Sequence, residues 1–525
     1  MSEAARHSSS GKPRIWWRRG RITAQVLFFI LLIGVFINTT RNGLDPTFAN
    51  LPLRISPLTA IANFIASKAF LVAGLTGLIL LGLALVTGRA WCSWLCPLGS
   101  LIDIFPFKKL NQKKPKLSEN WRTVKFIVLL VVIVAAGFGN LALIALDPVT
   151  IWYRSFSMAF CPGLDSLVTA GESALFKVPW MQNAIGTIDS LLRPALLPYQ
   201  SKIATAGWLF LGGLMVVLAL NLLAERFWCR YLCPLGGLLG LLAKVGLVKR
   251  RVLPSCTNCN ACYRVCPTGT VDLAKGYRSD PAECTLCMDC YEACPSQAIA
   301  FSIQVQPAGW ENYDPKRRQV LIGLGAGAVL GGISLATQRI RQPGEFQLRP
   351  PGATEADLMS KCIRCGACVR VCPTSALQPA ILQAGWDGFT TPILVPRTGA
   401  CDYGCNACGQ TCPVQAIPPL ALEQKQVAVI GKVEVDPKRC LPWGKGIPCS
   451  VCEEMCPLPK KAIYFAGQGE GGGRGKGLEE NNEPETVLNP DILLPKVREE
   501  LCIGCGICEF KCPVEGEAAI RVRIA

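Results

Sequence analysis

The chain has 525 residues, half of them hydrophobic, a formal charge of +17 and a mean hydropathy of +0.32. That apolar share and the positive mean hydropathy point away from an ordinary soluble globule, and the length allows several domains. The charge excess falls within residues 1–340 while residues 341–525 are nearly neutral, which excludes nucleic-acid binding as the reading of the charge.

Lys12, Arg14, Arg18, Arg19 and Arg21 precede a first apolar run at Ile22–Asn38. No small-x-small site closes that run, so it reads as an uncleaved anchor. Further runs follow at Phe70–Val86, Phe126–Leu146 and Ile203–Ala224, with a Gly-rich one at Val320–Ala336. Their lengths predict four bilayer spans and then a fifth. Basic residues cluster before the first run, from Lys108 to Lys125, and from Arg226 to Arg251, positions that the positive-inside rule assigns to the cytoplasm. The longer, less basic loops 39–69 and 147–202 are expected to face outward.

Within this half, Arg89-Ala-Trp91-Cys92-Ser-Trp-Leu95-Cys96-Pro97-Leu98-Gly99 recurs as Arg226-Phe-Trp228-Cys229-Arg-Tyr-Leu232-Cys233-Pro234-Leu235-Gly236. The period, from Cys92 to Cys229, is 137 residues, and each copy follows an inward-going run. A duplicated helical hairpin accounts for the symmetry and brings both cysteine pairs to the cytoplasmic membrane face. Cys92, Cys96, Cys229 and Cys233 are therefore candidate ligands of a further centre or members of a dithiol relay; the alternative is a structural turn that uses cysteine as a small apolar residue. Cys161, in an outward loop, has no assigned role.

Twenty-four of the 29 cysteines form six quartets, each closed by Cys-Pro. Four have regular C-x-x-C-x-x-C-x-x-x-C-P spacing: Cys256, Cys259, Cys262, Cys266; Cys284, Cys287, Cys290, Cys294; Cys362, Cys365, Cys368, Cys372; and Cys502, Cys505, Cys508, Cys512. Two are stretched at the first gap: Cys401, Cys405, Cys408, Cys412 and Cys440, Cys449, Cys452, Cys456. Two-residue gaps let three thiolates surround one 4Fe-4S cluster while the fourth cysteine completes a partner cluster. A disulfide scaffold would not repeat one pattern six times, and zinc sites use two pairs. About six 4Fe-4S clusters are expected. By the crossed-ligand rule Cys294 joins Cys256, Cys259 and Cys262, and Cys266 joins Cys284, Cys287 and Cys290. Among the last four quartets the spacing leaves several pairings open. Small residues between ligands, such as Gly366, Ala367, Gly504 and Gly506, let the backbone come close to the sulfides.

Between the two cluster-bearing regions, Asp314-Pro-Lys316-Arg317-Arg318 precedes the fifth run, as in a twin-arginine export signal; an ordinary anchor is the alternative reading. Ser334-Leu335-Ala336 is a candidate cleavage site, and residues beyond 340 are expected outside. A Gly-rich stretch at Gly467–Gly477 reads as a surface loop. The expected organisation is an α-helical membrane domain at 1–250, an α+β two-cluster bacterial ferredoxin domain in the cytoplasm at 251–305, a signal or anchor helix at 306–340, and a four-cluster ferredoxin-type domain outside at 341–525. The only histidine is His7, so no span supplies imidazoles to a haem. No C-x-x-C-H and no strand-linked G-x-G-x-x-G occurs, so neither covalent haem nor a bound dinucleotide is expected.

On these motifs residues 1–300 resemble NapH, the quinol-oxidising membrane subunit of periplasmic nitrate reductase systems, and residues 310–525 resemble NapG or the related MauM, exported four-cluster ferredoxins. The chain resembles a fusion of the two. The resemblance implies that the last four quartets pair first with fourth and second with third, which would join Cys362, Cys365, Cys368 to Cys512; Cys502, Cys505, Cys508 to Cys372; Cys401, Cys405, Cys408 to Cys456; and Cys440, Cys449, Cys452 to Cys412. It also implies a multi-pass inner-membrane protein passing electrons between quinol and a separate extracytoplasmic oxidoreductase. The alternative expectation is a redox maturation factor for such an oxidoreductase.

Overall fold

The computed structural model describes residues 16–38, 50–68, 75–105, 119–195, 204–303, 317–340, 347–466 and 492–524. His7, Lys12, Arg14, Lys108 and the Gly467–Gly477 stretch lie outside the described residues. The chain divides into two compact units, Met1–Ser155 with Leu209–Ala336, and Phe156–Trp208 with Thr337–Ala525.

In the first unit, helices Trp16–Asn38, Leu75–Thr87, Val124–Gly137, Gly207–Ala219 and Arg317–Ile340 fall on the five apolar runs. Among the described residues, Trp16–Ile37 and Arg317–Thr337 are long and apolar enough to cross a bilayer; Pro57–Ser67, Leu75–Thr87, Gly207–Leu222 and Pro234–Val245 are shorter apolar helices. The run Phe126–Leu146 is not one helix. It stops at Gly137, turns through Gly139 at φ +78°, and resumes as the 3-10 segment Ala142–Leu146, whose Ala142 N–H donates to Asn140 Oδ1 at 2.7 Å. The glycines of the fifth run serve packing. A Cβ on Gly323, Gly327 or Gly331 would come within 2.9, 2.7 or 2.5 Å of Leu130, Val134 or Phe138, so this four-residue spacing is a small-residue stripe that seats the side chains of helix Val124–Gly137.

The first unit also holds a ferredoxin-like module, ahead of its last helix. Strand Val248–Val252 pairs antiparallel with Ile299–Ile303, Val248 opposite Ile303, and a short ladder, Val271–Asp272 with Arg278–Ser279, lies between the two quartets. The second unit repeats this plan. Lys432–Val435 pairs with Ile520–Arg523 around the last two quartets, with Ile463–Ala466 and Leu494–Val497 paired between them. The preceding two quartets are separated by the pair Leu377–Pro379 and Pro392–Leu394. Helices Cys161–Leu175 and Gln182–Ala195 complete this unit.

Candidate iron-sulfur centres

Each regular quartet has the same backbone signature. The residues flanking its second cysteine both adopt positive φ: Asn258 and Asn260, Leu286 and Met288, Arg364 and Gly366, Gly504 and Gly506. For L-residues this costs roughly 1–2 kcal/mol apiece, a strain kept where the surroundings require one geometry. The two reversals curl the chain around a concave face, and a short helix then holds the third cysteine beside the first two and leads on to the fourth: Ala261–Val265, Asp289–Glu292, Ala367–Val371 and Ile507–Lys511. A further positive φ at Gly269, Gln297, Ser375 and Gln415 turns the chain three residues after the closing cysteine of four quartets. The stretched quartets lack the paired signature; Asn406 has φ −127° and Ser450 φ −113°.

In the first module the thiols group as the crossed rule expects. Cys256, Cys259, Cys262 and Cys294 line one cavity with Arg250, Tyr277 and Ile299. Cys284, Cys287 and Cys290 each lie close enough to Cys266 to feel its charge. Burial pushes these three thiols up to about 12, so holding them as thiolates calls for a metal charge that offsets the desolvation. Donors point at sulfur: Arg250 Nε to Cys290 Sγ at 3.4 Å and Ala298 N–H to Cys294 Sγ at 3.3 Å. Among the described residues no three Cys, His, Asp or Glu side chains converge as a single ion requires. A cubane spreads its four sulfur ligands farther apart than one ion does. Four thiols lining one cavity, with donors aimed at sulfur, fit a 4Fe-4S group.

The last four quartets pair differently from the expectation drawn from resemblance. Cys365 and Cys368 lie beside Cys362 and Cys412, and Cys408 lies beside Cys401, Cys405 and Cys372. Cys440, Cys449, Cys452 and Cys512 line a second cavity, and Cys502 and Cys505 lie beside Cys456. Consecutive quartets cross, so the pairing is first with second and third with fourth. The reason is local. Helix Ala367–Val371 packs on Ala407–Gln410 and Val451–Glu454 on Ile507–Lys511, each couple joined through its own strand pair. The two modules then meet where Cys401 N–H donates to Cys505 O at 2.9 Å, with the Lys425 ammonium held on the carbonyls of Asp402 and Tyr403 beside both cysteines. Cys440, despite its eight-residue gap, is buried within its set, because the extra residues form a bulge over Leu441–Lys445 that turns back through Gly446 at φ +62°.

The first module is clamped to the helical part of its unit through the face that carries Cys284. Arg21 donates to Cys287 O at 2.9 Å and pairs with Asp289 at 3.1 Å, and Trp94 Nε1 donates to Leu286 O at 3.1 Å. Glu283 is buried between Lys125 and Arg89; burial alone would raise its pKa, but the two cations hold it below the usual carboxylate range. Cys259, on the other set, is exposed.

Cys92, Cys96, Cys229 and Cys233 are all buried, and they converge: Cys233 lies beside Cys229, Cys92 and Cys96. Cys161 is half-buried at the start of its helix, beside Arg370. Arg89 and Arg226 open each repeat, the one sequence signal of their pairing role, and Gly366, Gly504 and Gly506 are among the small residues expected between ligands, whereas Glu283, Lys425 and the left-handed Leu286, Met288 and Arg364 carry no local signal.

A 4Fe-4S binding domain family matches residues 70–116 and again 206–252, a 4Fe-4S dicluster domain matches 276–373, and two further 4Fe-4S binding domain families match 256–270 and 495–516. The methylamine utilization ferredoxin-type protein MauM of Methylorubrum extorquens is 35% identical over 217 residues, 40% of this chain and 89% of that protein. The ferredoxin-type protein NapG of Escherichia coli is 35% identical over 200 residues, 38% of this chain and 79% of that protein. The chain belongs to the MauM and NapG family of ferredoxin-type proteins. It is also similar to the ferredoxin-type protein NapH of Escherichia coli, 24% identical over 267 residues, 48% of this chain and 77% of that protein. No solved structure matches the chain. The chain is thus an iron-sulfur electron-transfer protein with several 4Fe-4S groups, and its two long apolar helices together with the likeness to NapH point to a membrane protein. The dicluster match joins quartets that the structure assigns to different units, which shows that spacing identifies quartets without identifying partners.

Proposed function

We propose that the chain relays electrons between the quinone pool and a separate extracytoplasmic oxidoreductase of the nitrate-reductase or other molybdoenzyme class, as a multi-pass inner-membrane protein. In this reading the twenty-four quartet cysteines are the cluster ligands, grouped as the thiols converge. Each 4Fe-4S group, when bound, takes up and releases one electron at a time. The protein supplies the order. The observation that carries the reading is the contact of Cys401 with Cys505, which sets four of the six ligand sets in one row: the Cys362 set, the Cys401 set, the Cys502 set and the Cys440 set.

Apolar residues left exposed on the helices, among them Leu27, Ile30, Ile79, Val216 and Leu321, suit a lipid surround for a four-helix domain at 1–250 with a fifth span at 306–340. Residues 251–305 are then the cytoplasmic module. Loop residues Phe156–Trp208 share a unit with Thr337–Ala525, and Thr205 N–H donates to Gln378 Oε1 at 3.1 Å. That grouping supports one shared side, outside, for the loop and the domain at 341–525.

The experiment is anaerobic mixing of the detergent-purified full chain with a reduced quinol analogue, following bleaching of the iron-sulfur absorption. Bleaching comparable to that produced by dithionite is expected. Bleaching by dithionite but by no quinol would overturn the quinone link.

A further inference from the structure

We propose that Cys92, Cys96, Cys229 and Cys233 together hold one additional 4Fe-4S cluster, shared between the two halves of the duplicated hairpin. The inference rests on the iron-sulfur reading of the quartets and extends it to four cysteines outside them. The family match described as a 4Fe-4S binding domain falls on both repeats, yet each repeat contributes only two cysteines, so neither can complete a four-thiolate site alone. In the fold the two pairs meet: Cys96 lies beside Cys92 and Cys229, and Cys233 beside all three of the others.

The surroundings are built symmetrically, as a shared centre requires. Arg89 Nη2 donates to Cys229 O at 3.1 Å, and Arg226 Nη1 donates to Cys92 O at 3.4 Å, so the arginine of each copy crosses to the first cysteine of the other. Both guanidinium groups are buried, each against an acid, Glu283 for Arg89 and Asp103 for Arg226. Two buried cations close to four thiols suit a group that is anionic when four thiolates bind it. The second cysteine of each copy precedes a helix with proline at its start, and in the second copy its sulfur accepts a backbone N–H, Gly236 to Cys233 at 3.2 Å. Gly99 is sterically required, and a side chain at Gly236 would displace the Arg89 guanidinium. A Cβ on Gly99 would stand 2.7 Å from Cys92 O, and one on Gly236 would stand 2.9 Å from Arg89 Nη2. A structural turn that uses cysteine as a small apolar residue does not need the crossed arginines. Arg89 also donates to Ala282 O at 2.8 Å, two residues before Cys284, which puts the shared centre next to the Cys284 set.

The test is iron and acid-labile sulfide per chain in the full-length protein purified without oxygen, for the parent and for Cys92→Ser, Cys229→Ser, the double variant and Cys161→Ser. The parent should hold ~28 iron atoms, against ~24 for the quartets alone. Each single variant should lose about four, the double no more than either single, and Cys161→Ser none. A parent with ~24 iron atoms, or single variants with unchanged iron, would overturn the shared centre and leave the quartets standing. A parent without iron would overturn both. The parent stoichiometry decides the matter even where a variant fails to fold.

Discussion

The module at 248–303 and the module at 432–524 are built on one frame. In both, a terminal strand pair closes the ends, a second pair lies between two quartets, and the fourth cysteine of each quartet crosses to the other. They differ in how much they depart from the shortest version of that frame. The first has two regular quartets and only five residues between its inner strands; the last carries an eight-residue ligand gap at Cys440 and resumes its inner pair at Leu494 after Ala466. Since the ligand sets form alike in both, the strand pairs and packed helices place the thiols, and the intervening lengths are free to change. The same logic corrects the ligand pairing among the last four quartets, where neighbours joined by a hairpin cross with each other.

The largest effect that could break this comparison concerns pairing. If consecutive quartets cross, Cys365→Ser and Cys412→Ser remove the same centre, so each single variant and the double should all lose about four iron atoms per chain. Cys365→Ser combined with Cys512→Ser should lose about eight, because those residues serve different centres. The reverse pattern would restore the first-with-fourth pairing.

Anchoring separates the modules next. Glu283 is buried between two cations, whereas Glu499 pairs with Lys432 at the surface. Glu283→Gln leaves buried charge uncompensated and should lower stability by about 3–5 kcal/mol, while Glu499→Gln should cost less than ~1 kcal/mol, read by anaerobic thermal denaturation. Equal shifts would remove the distinction.

The positive-φ pairs distinguish regular quartets from stretched ones. Gly504→Ala forces a Cβ to within 2.3 Å of Gly431 O and should destabilise by at least ~2 kcal/mol, with altered low-temperature paramagnetic signals. Leu286→Gly acts at an equivalent position in the opposite sense. Relief of the strained φ there, ~1–2 kcal/mol, offsets only part of the ~2–5 kcal/mol lost with the buried Leu286 side chain, so a net destabilisation with iron content intact is expected in the same assays.

The quartets and the duplicated Cys-x-x-x-Cys-Pro motif were legible because ligand spacing is a local property of the chain. Pairing was legible for the two adjacent quartets of the first module, but not among the last four, since there it depends on which hairpins fold and hairpin length says little about that. Leu286, Met288 and Arg364 give no sign in sequence of a left-handed backbone, because only glycine or asparagine advertises it. The glycines of the fifth run mark it in sequence only as Gly-rich, and their role against Leu130, Val134 and Phe138 emerges only when two helices touch. The run Phe126–Leu146 was read as one span because hydropathy is blind to the turn at Gly139. Nor does any local pattern announce that Phe156–Trp208 joins the unit containing the last four quartets.

Mössbauer spectroscopy of the iron-57-enriched full-length chain, purified without oxygen, reads out whether cysteines from crossed quartets hold cubane clusters. Equal iron and labile sulfide are expected and, after reduction by one electron per cluster, spectra of 4Fe-4S centres throughout. Zinc in place of iron, or disulfides among Cys256, Cys284, Cys362 and Cys502 and their partners, would contradict that expectation.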